Sequence, residues 1–399
     1  DPIAPTPMIA MRMSNSFQSW LVAGRLPGGG IKGPYGGVVN QRRRAHQVRV
    51  TAGSGAGGGW MRGRSRRGRC LRGLGASGNL SAMSVGRGAP GPEVSVAAMN
   101  LSYILNRVAR AYPDTSAITS YDGRLTYGEL DRQVAQIAGQ LTGRHGLSPG
   151  DRVGIAMTNC AAFFPCLFGA WRAGLVAVPI NAKLHPREMA WILENAGAKL
   201  AIVTPELAAS VSEAADVAWP TVIATDEADY ARLLEGDGAP LLAGEPGDPA
   251  WLFYTSGTTG RPKGAVLTHR NLLFCSHAYC ADINPAGPRT TMVHAAPLSH
   301  GAGIYGLAHL IKGGNNVIYK GFDTSQVLMA FETYRNISMF AAPTMVTRLL
   351  ADENCGATDT RGLSAIIYGG APMYLADLKA GLEKLGPRFY GLYGQGESP

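Results

Sequence analysis

One stretch decides how the rest of the chain is interpreted: Trp251-Leu252-Phe253-Tyr254-Thr255-Ser256-Gly257-Thr258-Thr259-Gly260-Arg261-Pro262-Lys263-Gly264-Ala265. Its first half is an apolar run, which predicts a buried strand. Its second half is rich in glycine and threonine, so the backbone can turn tightly and its N–H groups can approach a ligand. Consecutive N–H groups in such a turn form a concavity that binds anions. Together with the positive charge of Lys263, the stretch predicts a polyphosphate-binding loop.

The loop is not a Walker A motif, because that motif needs serine or threonine directly after its lysine and Gly264 stands there instead. A kinase or a P-loop NTPase, which would transfer the γ-phosphate of ATP, is therefore a weaker hypothesis. The simplest alternative is a surface turn with no ligand. The loop alone is compatible with each of these alternatives.

Short apolar runs alternate with amphipathic segments on both sides of the loop, which is typical of βαβ units. The pattern predicts helices at 101–111, from a Thr126 cap onward, and at 160–173, 186–197, 268–281, 302–311, 324–334, 344–353 and 374–385. It predicts strands at 153–157, 175–180, 200–203, 291–296, 316–319, 338–341, 365–368 and 389–393. Residues 205–248 show only weak helix and strand patterns. We therefore predict an α/β fold with mainly parallel sheets and helices on both faces.

In such sheets, ligands bind beyond the carboxyl ends of the strands. Four segments lie at predicted strand ends: the loop at 255–264, Pro297-Leu298-Ser299-His300-Gly301-Ala302-Gly303, Tyr368-Gly369-Gly370-Ala371-Pro372, and Leu392-Tyr393-Gly394-Gln395-Gly396-Glu397. We expect these segments to meet at one site.

This set of segments, in this order, resembles the adenylate-forming superfamily of acyl-CoA synthetases, aryl-CoA ligases, luciferases and peptide-synthetase adenylation domains. The resemblance covers residues 99–399 and implies the large N-terminal domain of that fold. The family continues beyond the position of Glu397 with a ribose-binding aspartate, a hinge and a small domain bearing a catalytic lysine. We therefore expect that C-terminal small domain to be absent from this chain.

The resemblance implies a role for each segment. The β- and γ-phosphates of ATP would be held by Thr255, Ser256, Gly257, Thr258, Thr259, Gly260 and Lys263. Thr255 and Glu397 would ligate Mg²⁺, which prefers oxygen ligands. The nucleotide and acyl pockets would be lined by Gly369, Gly370, Ala371, Pro372, Tyr393, Gly394 and Gln395. His300 would lie between the acyl site and the thiol tunnel, and His300, Lys263 and Glu397 would be the catalytic residues.

Each of these residues also has a simpler interpretation. Glu397 could be a solvated surface residue, and a lone histidine such as His300 is often a hydrogen-bonded structural residue. Gly369 and Gly370 could form an ordinary turn after a strand, and Tyr393 could be a core aromatic residue.

One position departs from the family pattern. The last motif usually reads Tyr-Gly-x-Thr-Glu, and its threonine helps to bind the α-phosphate. Gly396 occupies that place here and has no hydroxyl. We expect the contact to come from backbone N–H groups, from Gln395 or from elsewhere.

The resemblance implies an ATP-dependent carboxylic acid–CoA ligase that works through an acyl-adenylate, with ATP, Mg²⁺ and coenzyme A and a fatty or aromatic acid as substrate. Two alternatives stay open: a non-catalytic remnant that binds nucleotide weakly, and an adenylation domain that serves another thiol acceptor. The absence of a carrier or condensation module in the sequence favours the stand-alone ligase.

Composition divides the chain near residue 98. Residues 1–98 hold 20 glycines and 14 Lys and Arg against 2 Asp and Glu, whereas residues 99–399 hold 23 and 26. Such a basic, glycine-rich segment predicts disorder or a non-native extension, with a transit peptide or a nucleic-acid contact as alternatives. We expect no specific nucleic-acid partner for the adenylation domain at 99–399.

Cysteine usage and hydropathy bear on the compartment. The sequence has six cysteines and no Cys-x-x-Cys pair, which fits a reducing, cytoplasmic location and gives no support to a zinc site. Cys160, Cys166 and Cys275 are predicted to be buried apolar residues. No run of about 18 apolar residues is present, so we expect no membrane-spanning segment.

Overall fold

Two sheets organise the computed structural model, which describes residues 100–214, 221–226, 228–255 and 262–398. The first sheet contains β1 (Ser116–Ser120), β2 (Arg124–Thr126), β9 (Thr291–His294), β10 (Asn315–Ile318), β11 (Ile337–Ala341), β12 (Leu363–Tyr368) and β13 (Phe389–Gly391). Its strand order is β13-β12-β11-β9-β10-β1-β2, and each neighbouring pair is parallel except β1 and β2.

The second sheet contains β3 (Arg152–Met157), β4 (Val176–Asn181), β5 (Ala198–Val203), β6 (Thr221–Ala224), β7 (Pro249–Thr255) and β8 (Lys263–Thr268). Its order is β6-β5-β3-β4-β7-β8. Only β8, at one edge, runs antiparallel to its neighbour. The predicted, mainly parallel α/β architecture is confirmed.

The helices are α1 (Leu101–Ala111), α2 (Tyr127–Gly143), α3 (Phe163–Arg172), α4 (Pro186–Ala196), α5 (Pro205–Glu213), α6 (Ala228–Leu233), α7 (His269–Asp282), α8 (Gly301–Leu310), α9 (Thr324–Thr333), α10 (Pro343–Ala351) and α11 (Leu375–Leu385). They cover both faces of both sheets. Residues of α1, α2, α3, α7 and α8 share one core with Ile155 of the second sheet and Ile118 of the first, so these helices form a layer between the sheets.

The outer faces of the sheets are covered by separate helices. Ala156, the neighbour of Ile155 on β3, packs with α4 and α5, because successive strand residues point to opposite faces. Val293 on β9 packs with α9 and α10. The result is five layers, with helices outside and between the two sheets.

Local signals in the sequence place several element ends correctly. Helix α2 begins after Thr126, whose hydroxyl accepts a hydrogen bond from the Glu129 N–H while the Glu129 carboxylate accepts one from the Thr126 N–H. Helix α4 begins at Pro186 and ends before Gly197, which adopts a left-handed conformation with φ +60°.

Other elements differ from the prediction. Helix α3 begins at Phe163, not at residue 160, and β13 ends at Gly391, not at residue 393. The hairpin of β1 and β2 was not predicted, nor were α5, β6 and α6 within 205–248. Strand β8 was missed because it is an edge strand in which only Leu267 is buried, so it shows no apolar alternation.

Cys160, Cys166 and Cys275 are buried as predicted. No helix in the described part of the chain is long and apolar enough to cross a membrane. Residues 1–98 lie outside the described residues, so the predicted division of the chain at residue 98 stays a prediction.

Candidate functional site

The order of strands in the first sheet marks a crevice between β9 and β11. From β9 the chain crosses to β10 on one side, whereas β11 is followed by β12 on the other side. A crevice at such a reversal, outside the carboxyl ends of the strands, is where open α/β sheets bind ligands. The loop after β9 ends in His300, whose ring packs edge-on against Phe253 of β7 at 5.4 Å between centroids. The crevice therefore faces the carboxyl end of β7 in the second sheet.

The opening stretch forms the hairpin of β7 and β8, in which Thr255 and Lys263 are directly opposed. Opposed residues in an antiparallel pair project their side chains to the same face. The predicted phosphate-binding residues Ser256, Gly257, Thr258, Thr259 and Gly260 lie outside the described residues. The described part of the hairpin thus places a hydroxyl and an ammonium group together at the base of the loop.

Residues of β7 alternate between two environments. Trp251 and Phe253 face the helices between the sheets, and Tyr254 faces the opposite side, where its hydroxyl donates to Asn195 Oδ1 at 2.8 Å. The Tyr254 ring also lies over Gly264, where an added Cβ would stand 2.9 Å from Tyr254 Cζ. Gly264 in the signature therefore serves the packing of Tyr254, a role that sequence reasoning missed.

Thr255 and Glu397, the predicted magnesium ligands, meet although 142 residues separate them. The Thr255 hydroxyl donates to Glu397 Oε1 at 3.2 Å. Neighbouring oxygens of an octahedral Mg²⁺ lie about 3.0 Å apart, given Mg–O distances of about 2.1 Å. The pair therefore fits two adjacent positions of a magnesium site.

The described residues contain no group of three or more His, Cys, Asp or Glu side chains that could hold a metal. At a nucleotide site, an ion at Thr255 and Glu397 would take further ligands from phosphate oxygens and water. Such coordination is usual for Mg²⁺ at nucleotide sites.

His300 occupies the N-cap position of α8 but makes no side-chain cap. Its Nδ1 lies 2.9 Å from Ser299 Oγ. Burial lowers the pKa of His300 below its ordinary value, because the buried site favours the neutral ring over the charged one. A neutral imidazole at this place can accept or donate a hydrogen bond without repelling a cation nearby.

The loop that carries His300 is held by Asn159, which follows β3 of the second sheet. The Asn159 Nδ2 donates to the carbonyl oxygens of Ala296 at 3.0 Å and Tyr319 at 3.1 Å, and Oδ1 accepts from the Leu298 N–H at 2.9 Å. These bonds join the carboxyl ends of β3, β9 and β10. Sequence reasoning did not identify Asn159, although a polar residue two positions after a buried strand was a visible signal.

The next two predicted segments also meet. Strands β12 and β13 are parallel neighbours, and the Leu392 N–H donates to the Tyr368 carbonyl at 2.9 Å. Gly370 adopts φ +83°, a conformation that favours glycine. Its neighbour Ala371 is exposed.

Gly370 and Ala371 begin an exposed surface, the exposed ledge, which continues into the segment at 392–397. Tyr393 is fully exposed, so the interpretation of Tyr393 as a core aromatic residue is wrong. Gly394 and Gln395 are exposed as well, and Gln395 forms a short turn with Ser398. Pro372, at the other end of the ledge, is exposed as well. Whether these residues bind nucleotide stays a prediction.

Aromatic side chains cluster near Gly301, the residue after His300. Phe340 of β11 stacks on Tyr305 of α8 with 5.8 Å between ring centroids, and an added Cβ at Gly301 would lie 3.3 Å from Phe340 Cζ. Tyr305 in turn contacts Tyr279, whose hydroxyl lies 2.9 Å from Nε2 of the buried His309. This aromatic cluster therefore has apolar stacking at Phe340 and Tyr305 and a hydrogen bond behind it, between Tyr279 and His309.

Comparison with known proteins identifies the family of this chain. Residues 105–399 match the family model described as AMP-binding enzyme. A feruloyl-CoA synthase of Amycolatopsis sp is 37% identical over 294 residues, covering 73% of this chain and 58% of the relative. A long-chain-fatty-acid–CoA ligase, FadD13, of Mycobacterium tuberculosis strain H37Rv is 30% identical over 288 residues, covering 70% of this chain and 57% of the relative.

Among solved structures, an inhibitor-bound N-terminal domain of FACL13 from Mycobacterium tuberculosis superposes with a TM-score of 0.68 at 26% identity, covering 74% of this chain and 76% of that one. The chain thus spans a little over half the length of the curated relatives and most of a solved N-terminal domain. From residue 105 to residue 399, the chain belongs to the AMP-binding enzyme family.

Proposed function

We propose that the protein is an ATP-dependent ligase that joins a carboxylic acid to coenzyme A through an acyl-adenylate. The observation that carries the proposal is the meeting of Thr255 with Glu397 at 3.2 Å, at the base of a hairpin in which Thr255 is opposed to Lys263. These groups provide one cation and two metal-binding oxygens at the foot of a glycine-rich loop. That combination suits a triphosphate and not a single phosphate.

The reaction proceeds in two displacements. A carboxylate oxygen of the acid attacks the α-phosphorus of ATP, and the bond to the bridging oxygen of pyrophosphate breaks. The thiolate sulfur of coenzyme A then attacks the acyl carbon, and AMP leaves with the electron pair. Both steps need charge neutralisation and orientation more than a protein nucleophile.

The proposed roles follow from position. Lys263 and the loop at 255–260 neutralise the β- and γ-phosphates, and Thr255 and Glu397 would hold Mg²⁺, which would supply further positive charge to the phosphates. Gly370 to Pro372 and Tyr393 to Gln395 form the exposed ledge on which the adenine and the acyl group lie, and the buried Gly369 directly precedes the ledge in the chain. The neutral ring of His300 separates the acyl site from the entering thiol.

We propose an aromatic acid as the substrate. The relative at 37% identity is a feruloyl-CoA synthase, and the stacked rings of Tyr305 and Phe340 lie near Gly301, the residue after His300. Aromatic ligands gain from offset stacking on such rings. A fatty acid is the competing class, since FadD13 is also a relative.

Pyrophosphate exchange with a panel of cinnamic, benzoic and fatty acids tests the proposal. Exchange with AMP and pyrophosphate as products supports it, whereas ADP as product would indicate a kinase. No exchange together with no binding of Mg²⁺·ATP would favour a non-catalytic remnant. Transfer to an acyl-carrier protein and not to coenzyme A would favour the other thiol acceptor.

Variants at the phosphate site sharpen the test. Removal of one charge-stabilising group from such a site costs about 10²–10³-fold in rate, so we expect this loss for Lys263→Met and for Glu397→Gln. Lys320→Met and Glu353→Gln are matched controls, because both side chains are exposed and lie outside the site. Equal rates in the Lys263 variant and its control would contradict the proposal.

A further inference from the structure

Gly396, which replaces the threonine of the family pattern, lies in a space with no room for a side chain. An added Cβ would stand 2.3 Å from Phe253 Cδ1, 2.4 Å from Phe253 Cε1 and 2.7 Å from Thr255 Cγ2. Carbon atoms that are not bonded to each other make favourable contact at about 3.5–4.0 Å. Any residue other than glycine at position 396 would therefore displace the Phe253 ring or the turn that contains Gly396.

The requirement for glycine is steric and not conformational. Gly396 is absent from the glycines with positive φ, so its backbone is one that other residues adopt. The turn around it is closed by two hydrogen bonds between Gln395 and Ser398. The close approach therefore comes from the neighbouring strand, not from the turn itself.

Phe253 has little freedom to give way. Its ring stacks on Trp251 at 6.2 Å and packs edge-on against His300 at 5.4 Å between centroids. It is 7% exposed and belongs to the core between the sheets. Thr255, which donates a hydrogen bond to Glu397, lies two residues further along the same face of β7. The Phe253 ring thus contacts both His300 and the turn that contains Glu397.

We propose that Phe253 is a positioning residue for the phosphate end of the site and that Gly396 is its steric complement. The ring fills the volume that a side chain at 396 would need, and this allows the Gln395–Ser398 turn to lie where Glu397 reaches Thr255. The assignment of ATP and Mg²⁺ to this place rests on the proposed function. The steric pairing of Phe253 with Gly396 does not depend on the proposed function.

The pairing makes an unusual prediction for the family's own residue. Gly396→Thr restores the hydroxyl that the family usually has, yet here its Cβ overlaps Phe253 and moves Glu397 away from Thr255. Loss of a group that orients a metal ligand typically lowers metal affinity 10–100-fold. We expect Gly396→Thr and Gly396→Ala each to weaken Mg²⁺-dependent ATP binding by about that factor.

Two measurements on the full chain test the proposal. The first is hydrogen exchange of the backbone amides in 392–398, which needs no ligand. The second is calorimetric titration of ATP with and without Mg²⁺. Both are made on the wild type, Gly396→Ala, Gly396→Thr, Phe253→Ala and the double variant F253A/G396A, with Gly356→Ala as the control because an added Cβ there meets nothing within 4 Å.

We expect Gly396→Ala to speed exchange at Gln395 and Ser398 about tenfold, and we expect Phe253→Ala in the same chain to restore it to within about threefold of the wild type. Because the Thr255 methyl group also approaches position 396, F253A/T255S/G396A is the second rescue variant; Thr255→Ser keeps the hydroxyl. Additive effects in both rescue variants, or Gly396→Thr binding ATP as tightly as the wild type, would overturn the pairing. If the wild type binds no ATP, the proposed function fails while the exchange data still decide the pairing.

Discussion

Asn159 gives the sharpest test of how the two sheets are joined at the site. Replacing it with alanine removes three hydrogen bonds, those to the Ala296 and Tyr319 carbonyls and that from the Leu298 N–H. Its side chain is buried, with 5% of the residue exposed. Each buried backbone group left without a partner costs about 1–3 kcal/mol.

The expected loss for Asn159→Ala is about 3 kcal/mol, because the unpaired Leu298 N–H bears the largest penalty and water can enter the space next to the two carbonyls. For a domain of this size, 1 kcal/mol corresponds to roughly 2 °C in Tm, so we expect a decrease of roughly 6 °C by calorimetry. Hydrogen exchange at Leu298 should accelerate more than the global change requires, because the loop after β9 loses its anchor.

Asn159→Asp separates hydrogen-bond donation from size. The aspartate keeps an acceptor for Leu298 but turns oxygen atoms toward two carbonyls, so at pH 7 it should be at least as destabilising as alanine. The control is Asn354→Ala, since Asn354 is exposed and should change stability by about 0.5 kcal/mol or less. A loss below about 1 kcal/mol in both Asn159 variants would refute the reasoning, because it would mean that the loop finds its partners elsewhere.

Two further outcomes follow from the structure. Gly303→Ala should lower Tm by several degrees, because the new Cβ would stand 1.9 Å from the Leu298 carbonyl oxygen. Calorimetry checks this prediction, with Gly247→Ala as the control because an added Cβ there meets nothing within 4 Å. Equal Tm values in the two variants would contradict it. Stability should also fall as the pH is lowered from about 6.5 toward 4, because burial lowers the pKa of both His269 and His294 to about 4. Between these pH values the unfolded chain binds protons that the folded chain does not. A Tm that does not change with pH would show that these rings are not buried in the neutral form. The same conclusion would follow if the pH dependence of Tm were unchanged in a His269→Asn/His294→Asn double variant.

Much of the fold could be predicted from local patterns. The capping box at Thr126 and the left-handed Gly197 define helix ends through contacts within a few residues, so the sequence specifies them directly. The buried parallel strands have continuous apolar runs, which periodicity detects. Strand β8 escaped detection because an edge strand with one buried residue does not need apolar alternation.

The sequence by itself determined the family. The glycine- and threonine-rich loop with Lys263, followed in order by the segments at His300, Gly369 and Glu397, is a linear pattern, and its interpretation needs no coordinates. It placed each segment at the carboxyl end of a strand, which in a parallel sheet is one edge.

Only the tertiary structure decided which of these residues touch. The hydrogen bond of Thr255 to Glu397 joins positions 142 residues apart, and the anchoring of the Leu298 loop by Asn159 joins different sheets. The missing side chain at Gly396 looked like a lost phosphate contact in the sequence. In the fold it is the space that Phe253 fills, because packing depends on distances between strands that no local pattern encodes.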